Sequence, residues 1–588
     1  MNEAALRRWS PWIVAAVAIL GYLNALGNGY VMDDRGILVL NPLVTHPDGV
    51  WRAFAHPYWP EGLGGQYRPL VIASFSLDWW LSHGDPHWLH AVNVLWDAAA
   101  AVLVWLLAAE LLAPAAALAA ALLFALTPLH VEAVANVVGR AECMTAAFVI
   151  AALLAHRRGS WFAPGCFALA LLSKENGIVF LGIAVAHDLL LAGPPREALR
   201  ARRALYGAYA AVVLAYGATL LAVFRGAPLS APAHTFDGAS TYERLLTVAA
   251  TVPEYARLLL FPFDLSADYL PGVLDLTRTI TLKVVLGLLL AALLVIAILR
   301  AWRRAPVLAF ALLWVPIAIS PVSNVFFATG VLLAERTLYL PSVGAMLALG
   351  WLMQLGVERR PTAAWAALAV VLVAFLARTW TRTIVWHDAK TFAVTLAIDH
   401  PEAYRAHWVI GRVYATMGRF PEAEKEFATA REIFPGDPVV WRESAELRIV
   451  AKDWSGAEAM LDRAIAIRPR DVSDRMRLAE VRMEAGDPRG AVDEARTALR
   501  LAPDSLRAAM IIGAAARAMR DTTLADSTFA RMTALHPDSW EMQMGYADVL
   551  LVKGDTAGAI VHADRAVTLS AGAPPAVAVR ARARGARP

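Results

Sequence analysis

This 588-residue chain has few cysteines and few charged residues, and it lacks the residue patterns typical of nucleic-acid-binding proteins. Its two cysteines, Cys143 and Cys166, lie in or beside apolar runs, so the sequence predicts neither a disulfide framework nor a cysteine metal site. Charged residues make up only 18% of the chain, and the basic ones do not alternate with aromatic residues as nucleic-acid-binding surfaces require. We therefore expect no nucleic-acid partner. No small-residue cleavage site follows the first apolar segment, which favours a retained membrane span over a removed signal peptide.

Hydrophobic residues, by contrast, are abundant and unevenly placed. They form 58% of the chain, whose mean hydropathy is +0.49. Residues 1–378 are a succession of apolar runs, whereas the chain from residue 390 onward is amphipathic and rich in charge. This contrast excludes a single soluble domain. It predicts an all-α protein in which a polytopic membrane domain over 1–380 is followed by a linker over 381–402 and a helical array over 403–588.

Eleven apolar runs are candidate transmembrane spans. They cover residues 11–29, 89–112, 114–128, 143–156, 161–173, 178–192, 204–224, 280–299, 306–320, 338–356 and 362–378. If these spans alternate in direction, arginine clusters at 7–8, 157–158, 196–203, 300–304 and 359–360 all fall on one side, which the positive-inside rule makes the cytoplasm. The N-terminus is then cytoplasmic, while the loop over 30–88 and the C-terminal array are extracytoplasmic.

An acidic pair, Asp33 and Asp34, follows the first span directly. Ionisable pairs at a membrane boundary are costly to hold near a low dielectric and usually serve a function. One carboxylate could remove a proton from a hydroxyl nucleophile, or both could bind a divalent cation, although oxygen-ligand sites usually draw on more groups. The alternative is a helix-end pair that faces water.

The same alternation places further polar segments on the extracytoplasmic side. In PLHVEAVANVVGRAE, His130 and Glu132 could bind a metal ion, or Glu132 could position Arg140. In the SKENG turn, Lys174 and Glu175 either pair with each other at a helix end or face the acidic pair. The convergence of these groups on one face is typical of a site that opens to the extracytoplasmic side.

Two arginines are the leading candidates for phosphate ligands. Arg336, in AERTLYLPS, offers a planar fork of donors that matches phosphate oxygens and stays charged near a membrane. Its alternative partner is the neighbouring Glu335. Arg68, in GGQYRPL, is a secondary candidate, and Arg140 and Lys174 come next.

A constant 34-residue period runs through the C-terminal third of the chain. Proline recurs at 401, 435, 469, 503 and 537, and alanine at 423, 457, 491, 525 and 559. This period is that of the tetratricopeptide helix-turn-helix unit, in which small residues let paired helices approach and proline ends the second helix. About five such repeats form an α-solenoid. We interpret this solenoid as a platform for a protein or peptide partner, without chemistry of its own.

Five stretches, in order and followed by the repeats, carry a resemblance to a known family. They are NGYVMDDRGILVLNP, YRPLVIASFSLDWWL, TPLHVEAVANVVGRAE, LLSKENGIVFL and AERTLYLPSVG. Together they resemble the transmembrane and tetratricopeptide-repeat protein O-mannosyltransferases, which belong to the C-type glycosyltransferases. The resemblance implies that the C-type glycosyltransferase fold is present, that Asp33 and Asp34 are catalytic, and that a polyprenyl (or dolichyl) phosphate carries the sugar on the extracytoplasmic face. The alanine- and arginine-heavy composition favours a bacterial member in the inner membrane.

The residue pattern agrees with that chemistry. An arginine at headgroup depth can hold the donor phosphate while a carboxylate deprotonates the acceptor hydroxyl, and both lower the energy of an oxocarbenium-like transition state. We therefore expect transfer of a hexose, mannose in the family, to serine or threonine of an extracytoplasmic protein bound by the repeats. The absence of a nucleotide-sugar motif is consistent with a lipid-linked donor. A divalent cation is the one optional cofactor.

Two other classes of protein share part of this pattern. A non-enzymatic membrane scaffold that assembles an envelope complex would also present repeats. Such a scaffold does not need Asp33, Asp34, Glu132, Glu175 and Arg336 on one face. A transporter would place ionisable residues at mid-membrane and show inverted repeats between its halves, and the sequence shows neither.

Overall fold

The computed structural model describes residues 3–59, 66–224, 236, 238–329 and 331–585. Within these residues the chain consists of helices and connecting turns without a strand, so the all-α prediction is confirmed. The chain forms two compact units, residues 1–406 and 407–588. Up to residue 399 the helices are α1 (Glu3–Gly21), α2 (Pro42–Thr45), α3 (Gly49–Arg52), α4 (Pro69–Ser82), α5 (Pro86–Leu111), α6 (Pro114–Leu126), α7 (Val131–Val134), α8 (Arg140–Arg157), α9 (Phe162–Ser173), α10 (Phe180–Leu190), α11 (Pro195–Ala201), α12 (Arg203–Phe224), α13 (Thr241–Leu260), α14 (Leu282–Arg304), α15 (Pro306–Ile319), α16 (Tyr339–Arg359), α17 (Pro361–Thr383) and α18 (Ala389–Asp399).

Each predicted span has a helical counterpart, but the count of eleven transmembrane spans stays a prediction. Among the described residues, six helices are long and apolar enough to cross a membrane, and these are α5, α8, α12, α14, α16 and α17 with their short extensions. The pair formed by α6 and residues 128–134, bent by 44°, would make a seventh. Helices α9 and α15 are apolar but shorter. The apolar helices mark a multi-pass membrane protein, while the side that faces the cytoplasm stays a prediction.

Helix α13 is not among the predicted spans because charged residues interrupt its apolar sequence. Its start is nevertheless well defined, since the side chain of Ser240 accepts the N–H of Glu243 while the Glu243 carboxylate accepts the N–H of Ser240. This reciprocal capping box satisfies backbone donors that a helix start leaves free. A β-carbon at Gly287 of α14 would lie 1.8 Å from the carbonyl oxygen of Ala249, so α13 packs tightly on α14.

Small residues let the central helices of the first unit approach closely. Helix α6 buries five alanines between residues 116 and 121. A β-carbon at Gly350 of α16 would lie 2.8 Å from the β-carbon of Ala120, closer than carbon atoms normally pack. Such contacts allow helices to associate where lipid removes the hydrophobic driving force. The resulting core supports the polar turns that join the helices.

The loop between α1 and α5 folds back onto this core. Residues 60–65 of the predicted 30–88 loop lie outside the described residues. The rest forms α2, α3 and α4, whose apolar side chains, including Val71 and Phe75, pack in one cluster with Ile37, Val138 and Met144. The loop is therefore anchored against the start of α8 and is well placed to hold side chains there.

The C-terminal region repeats one helix pair five times and ends in a single helix. The pairs are α19 (Tyr404–Thr416) with α20 (Phe420–Ile433), α21 (Pro438–Val450) with α22 (Trp454–Ile467), α23 (Val472–Glu484) with α24 (Pro488–Leu501), α25 (Leu506–Ala518) with α26 (Thr522–Leu535), and α27 (Trp540–Lys553) with α28 (Thr556–Leu569), followed by α29 (Pro574–Ala583). All five alanines of the 34-residue period are buried. Four of the periodic prolines follow a second helix by two residues. The tetratricopeptide prediction is confirmed.

Candidate functional site

The acidic pair lies in a tight turn that gives its two carboxylates different environments. Met32 has a left-handed backbone (φ 53°), and Asp34 accepts the N–H of Val31 at 3.1 Å and that of Val138 at 2.9 Å. Asp34 is fully buried, and burial raises its pKa to about 7 although the backbone donors oppose the shift. Asp33 is half-buried, and its carboxylate forms no hydrogen bond or ion pair with the described residues.

Arg68, immediately before α4, is held by Glu175 and Tyr58. Its Nε and Nη2 donate to the two oxygens of Glu175 at 3.1 and 2.6 Å, which makes a bidentate pair. Its guanidinium lies 5.0 Å from the centre of the Tyr58 ring. Burial would raise the pKa of Glu175, but the charge and hydrogen bonds of Arg68 bring it down to about 2. The pair is therefore ionised at neutral pH.

Lys174 ends α9 and pairs with Glu142 in the first turn of α8. Both side chains are almost fully buried. Burial lowers the pKa of Lys174, and the adjacent Glu142 carboxylate opposes that shift. This ion pair fixes the end of α9 against the start of α8.

Arg336 lies in the helical turn over 335–338 that precedes α16 and pairs with Glu132. The backbone N–H of Arg336 donates to one oxygen of Glu132 at 2.8 Å, and its Nη1 donates to the other at 2.5 Å. The Arg336 side chain is 29% exposed, compared with 11% for Arg68 and 7% for Lys174. Arg336 is therefore the most accessible of these three cations.

The neighbour pairs considered from the sequence are wrong. Lys174 contacts Glu142 rather than Glu175, and Arg336 contacts Glu132 rather than Glu335. The reason is local backbone direction. Lys174 is extended (φ −160°) and Glu175 begins a helical turn, so their side chains leave the chain in different directions.

These side chains form one cluster, which we call the polar centre. Its members are Asp33, Asp34, Tyr58, Arg68, Glu132, Glu142, Lys174, Glu175 and Arg336. The acidic pair and both arginines act electrostatically on the Tyr58 hydroxyl, and the charges of Asp33, Glu142 and Arg68 act on Arg336. Turns that are distant in sequence thus meet at one end of the helical core. The structure brings the five residues of the predicted convergence together with Arg68 and Lys174, while the side of the membrane that they face stays a prediction.

The pairing within the polar centre limits what it can do chemically. Each of its three cations already faces a glutamate, so an incoming anion must share or replace a carboxylate. Asp33 is the one carboxylate of the centre that has no partner among the described residues, so it is available to accept a proton or bind a cation. A free base beside partly accessible guanidinium groups suits attack by a hydroxyl on a phosphate ester of a sugar.

Arg140 lies beside the polar centre and is fully buried. Its guanidinium donates to Asp78 at 2.5 Å, to Asn93 at 2.7 Å and to the carbonyl of Leu89 at 3.1 Å. All three of its nitrogens are therefore engaged within the protein. Because Arg140 follows the turn that carries Val138, its bonds anchor the N–H group that holds Asp34. This position favours a supporting role over phosphate binding.

His130 also lies apart from the polar centre. Its Nε2 is 2.8 Å from the Ser342 hydroxyl, and its ring centre is 4.2 Å from that of Tyr339. Glu132 turns instead to Arg336 and does not contact Arg140. The proposed contact between Glu132 and Arg140 is therefore absent among the described residues, while metal binding by His130 and Glu132 stays a prediction.

In the part of the chain that the structure describes, one buried cluster has ligand atoms close enough together to hold a metal ion, all within 4.8 Å of one another. It contains His156, His187 and Asp188. The two imidazoles lie 3.1 and 2.9 Å from one Asp188 oxygen, and Arg202 lies 3.2 Å from the same oxygen. Arg202 already balances the Asp188 charge, so a divalent cation would bring two uncompensated charges into a buried place. We interpret this cluster as a structural hydrogen-bond network.

Three residues of the site were not predicted from the sequence: Asp78, Glu142 and Tyr58. Two of them carried a usable signal. Asp78 and Glu142 are acidic residues in otherwise apolar stretches, where a carboxylate needs a partner. Tyr58 carried none, because the loop before α4 is rich in aromatic residues.

Comparison with known proteins agrees with the sequence motifs. The family described as dolichyl-phosphate-mannose-protein mannosyltransferase matches residues 84–221, and the tetratricopeptide repeat family matches residues 386–438, 476–525 and 512–574. A protein O-mannosyl-transferase of Caenorhabditis elegans is 27% identical over 444 residues, which cover 72% of this chain and 62% of that protein. Human TMTC3, also named a protein O-mannosyl-transferase, is 26% identical and is covered over 55% of its length.

Solved structures that match the chain include tetratricopeptide proteins. YrrB, described as a tetratricopeptide protein with an unusual peptide-binding site, is 14% identical, with 32% of this chain and 97% of that chain covered and a TM-score of 0.28. The chain spans less than two thirds of the length of the curated relatives described above. From its motifs, its matched families and these relatives, the chain is related to the transmembrane and tetratricopeptide-repeat protein O-mannosyltransferases.

Proposed function

We propose that the protein transfers a hexose, mannose by analogy with its relatives, from a polyprenyl phosphate to a serine or threonine hydroxyl of a protein outside the cytoplasm. The observation that carries the proposal is Asp33, a carboxylate without a partner among the described residues, within the electrostatic field of Arg336. A free base and a partly accessible guanidinium are the two groups that this reaction needs most. The relatives' names supply the sugar and the protein acceptor.

The two aspartates take different roles in this proposal. Asp33 is the general base that receives the proton of the acceptor hydroxyl. Asp34 is a positioning residue, because both of its oxygens accept backbone N–H groups and fix the turn that presents Asp33. A base must lie within hydrogen-bond reach of the proton that it removes, so a shift of this turn would slow the reaction.

The donor phosphate is assigned to Arg336, with Lys174 and Arg68 contributing positive charge nearby. Arg336 is the most exposed of the three cations. A phosphate that reaches it shares the guanidinium with Glu132 or displaces that carboxylate. Exchange of one anion for another keeps the local charge nearly constant, which limits the electrostatic penalty of binding. Arg140 supports the site through Val138 and Asp34.

Transfer is then a single displacement. The acceptor oxygen forms a bond to the anomeric carbon as the bond from that carbon to the phosphate oxygen breaks, and its electron pair leaves on the phosphate. Asp33 takes the hydroxyl proton, and Arg336 stabilises the charge that grows on the leaving phosphate. The anomeric configuration inverts, and the oxocarbenium-like transition state is stabilised by the anionic groups around it.

A divalent cation finds few free ligands in the polar centre. Glu132, Glu142 and Glu175 each face a basic side chain. Asp34 has both oxygens engaged, which leaves Asp33. Oxygen-ligand cation sites usually draw on several groups, so the donor set fits this cofactor poorly. The steps above therefore use side chains alone.

The tetratricopeptide array is assigned to acceptor binding. Its stacked helix pairs bury their own alanine-rich core, and solenoids of this kind offer extended concave surfaces. An extended polypeptide held there offers many hydroxyl groups as acceptors. In this proposal the array selects the acceptor, and the membrane domain carries out the transfer.

The test is a transfer assay with the purified full chain in lipid nanodiscs. Polyprenyl-phosphate mannose and a panel of secreted proteins are supplied with and without a chelator, and the products are analysed by mass spectrometry. The expected result is a single hexose on serine or threonine that is formed by the wild-type chain and not by Asp33→Asn. Equal product with both chains, or none with any polyprenyl-phosphate hexose, would refute the proposal and favour a non-enzymatic scaffold.

A further inference from the structure

Tyr58 is buried in the polar centre with a hydroxyl that has no hydrogen-bond partner. The residue is 3% exposed, and its hydroxyl oxygen is inaccessible to solvent and unpaired within the described residues. A buried hydroxyl without a partner costs about 1–3 kcal/mol relative to a satisfied one. Each such group needs an explanation, and a ligand that completes the bond is one.

The ring of Tyr58 is held firmly enough to aim this hydroxyl. Its backbone N–H donates to the carbonyl of Gln66 at 2.7 Å, and its ring meets Trp59 edge to face with 6.0 Å between ring centres. The guanidinium of Arg68 covers one face of the ring at 5.0 Å. Arg68 is itself fixed by its bidentate pair with Glu175. The hydroxyl position is therefore set before any ligand arrives.

The surroundings of the hydroxyl define what it can bind. Both arginines of the polar centre and both aspartates act on it electrostatically. Burial raises the pKa of Tyr58, so the phenol stays protonated at neutral pH and can act as a hydrogen-bond donor. Neither aspartate accepts this proton in the structure, although both are nearby. The hydroxyl therefore has room for one acceptor, and an anionic oxygen is the kind that Arg68 and Arg336 attract.

We propose that the Tyr58 hydroxyl donates a hydrogen bond to a non-bridging oxygen of the polyprenyl phosphate. This inference rests on the proposed function, and it adds to that function an uncharged hydrogen-bond donor to the phosphate, beside Arg68 and within the electrostatic field of Arg336. The bond strengthens as negative charge grows on the departing phosphate, so it favours the transition state over the bound donor. Tyr58 then accelerates the chemical step as well as binding the lipid product.

The test compares Tyr58→Phe with a matched control, Tyr209→Phe. Tyr209 is also buried, but its hydroxyl forms a hydrogen bond with His156 at 2.9 Å. His156 lies near the far end of α8, about 24 Å along that helix from Arg140. Both variants remove one buried hydroxyl. Four quantities are measured for each full-length chain in nanodiscs: kcat and KM for the lipid donor, the dissociation constant of the sugar-free polyprenyl phosphate, and the midpoint of thermal unfolding.

Tyr58→Phe should lower kcat/KM about 10- to 100-fold, which corresponds to the loss of a hydrogen bond to a charged group. It should weaken polyprenyl phosphate binding and leave the unfolding midpoint unchanged or higher, because the lost hydroxyl had no partner. Tyr209→Phe should show the reverse pattern, with a lower midpoint and wild-type transfer.

Wild-type kinetics and wild-type lipid affinity in Tyr58→Phe would overturn the inference and leave the proposed function intact. A lower midpoint or failure to fold would also overturn it, since that result gives the hydroxyl a structural partner. If the wild-type chain shows no transfer, the proposed function fails. The inference then stands or falls on whether Tyr58→Phe weakens binding of polyprenyl phosphate itself.

Discussion

At the scale of single residues, the two adjacent aspartates are chemically distinct because Asp34 accepts two backbone N–H groups and Asp33 has no partner among the described residues. Asp33→Asn removes a carboxylate that has no partner among the described residues, so it should lower transfer about 10²–10⁴-fold while leaving the unfolding midpoint near that of the wild type. Asp34→Asn replaces an acceptor of two backbone N–H groups with a side chain that accepts only one, so it should destabilise the fold. Rates and thermal unfolding of both variants measure this contrast.

The reverse pattern, with Asp33→Asn unstable and Asp34→Asn stable but inactive, would exchange the two roles. Wild-type rates in both variants would remove the acidic pair from the mechanism. The distinction matters because sequence alone presents the two residues as equivalent, and only the partners of Asp34 set them apart.

Arg336 offers a second contrast at this scale. Arg336→Lys keeps the positive charge but loses the planar fork that bonds both Glu132 and a phosphate, so the KM for the lipid donor should rise and kcat should fall. Arg278→Lys is a suitable control, since Arg278 pairs with Glu243 on the exposed surface. If donor kinetics are unchanged in Arg336→Lys and in Arg336→Ala, the phosphate binds elsewhere, with Lys174 and Arg68 as the remaining cations.

At the scale of helices and turns, glycine sets the position of the segment that carries Lys174 and Glu175. A β-carbon at Gly177 would lie 2.7 Å from the backbone of Ala170, so the 175–179 turn rests directly on α9. Gly177→Ala should push this turn away, destabilise the protein by about 1–3 kcal/mol and lower transfer by displacing both ion pairs of the turn. Thermal unfolding and the transfer assay measure the two effects.

Gly165→Ala, on α9 itself, is the matched control. Nothing lies within 4 Å of a β-carbon at Gly165, and alanine favours helix, so this variant should be neutral or slightly stabilising. Similar losses in both variants would mean that the tight contact at Ala170 has no special part in placing the site.

The same scale shows why some features follow from the sequence and others do not. The repeats are predictable because their period is written along the chain, and each buried alanine falls where the period puts it. The ion pairs are not, since Arg68 and Glu175 are 107 residues apart and meet only through tertiary packing. Local reasoning left a pair of Lys174 with Glu175 open as one alternative, and the change in backbone direction between the two residues excludes it.

At the scale of the whole molecule, acceptor selection and chemistry should be separable. The first compact unit ends at Ala406, and Arg405 within it pairs with Asp268. A chain that stops after Ala406 should keep donor hydrolysis, or transfer to a small hydroxyl acceptor, while it loses transfer to the protein acceptor. The full chain with Gly165→Ala, purified in the same way, controls for losses during preparation. Loss of donor hydrolysis in a truncated chain that inserts normally would show that the repeats are needed for chemistry.

The orientation of the chain in the membrane links both units to the proposed reaction. If the eleven predicted spans alternate from a cytoplasmic N-terminus, their odd number predicts that the polar centre and the repeats are both extracytoplasmic. A protease added outside sealed inside-out vesicles should therefore leave the array intact, and detergent should expose it. By length and composition, six or seven helices of the described residues can span a membrane. Whether the total number of spans is odd therefore depends on the shorter helices, such as α9 and α15. Digestion of the array in sealed inside-out vesicles would place it in the cytoplasm, and a secreted protein could then not be its acceptor.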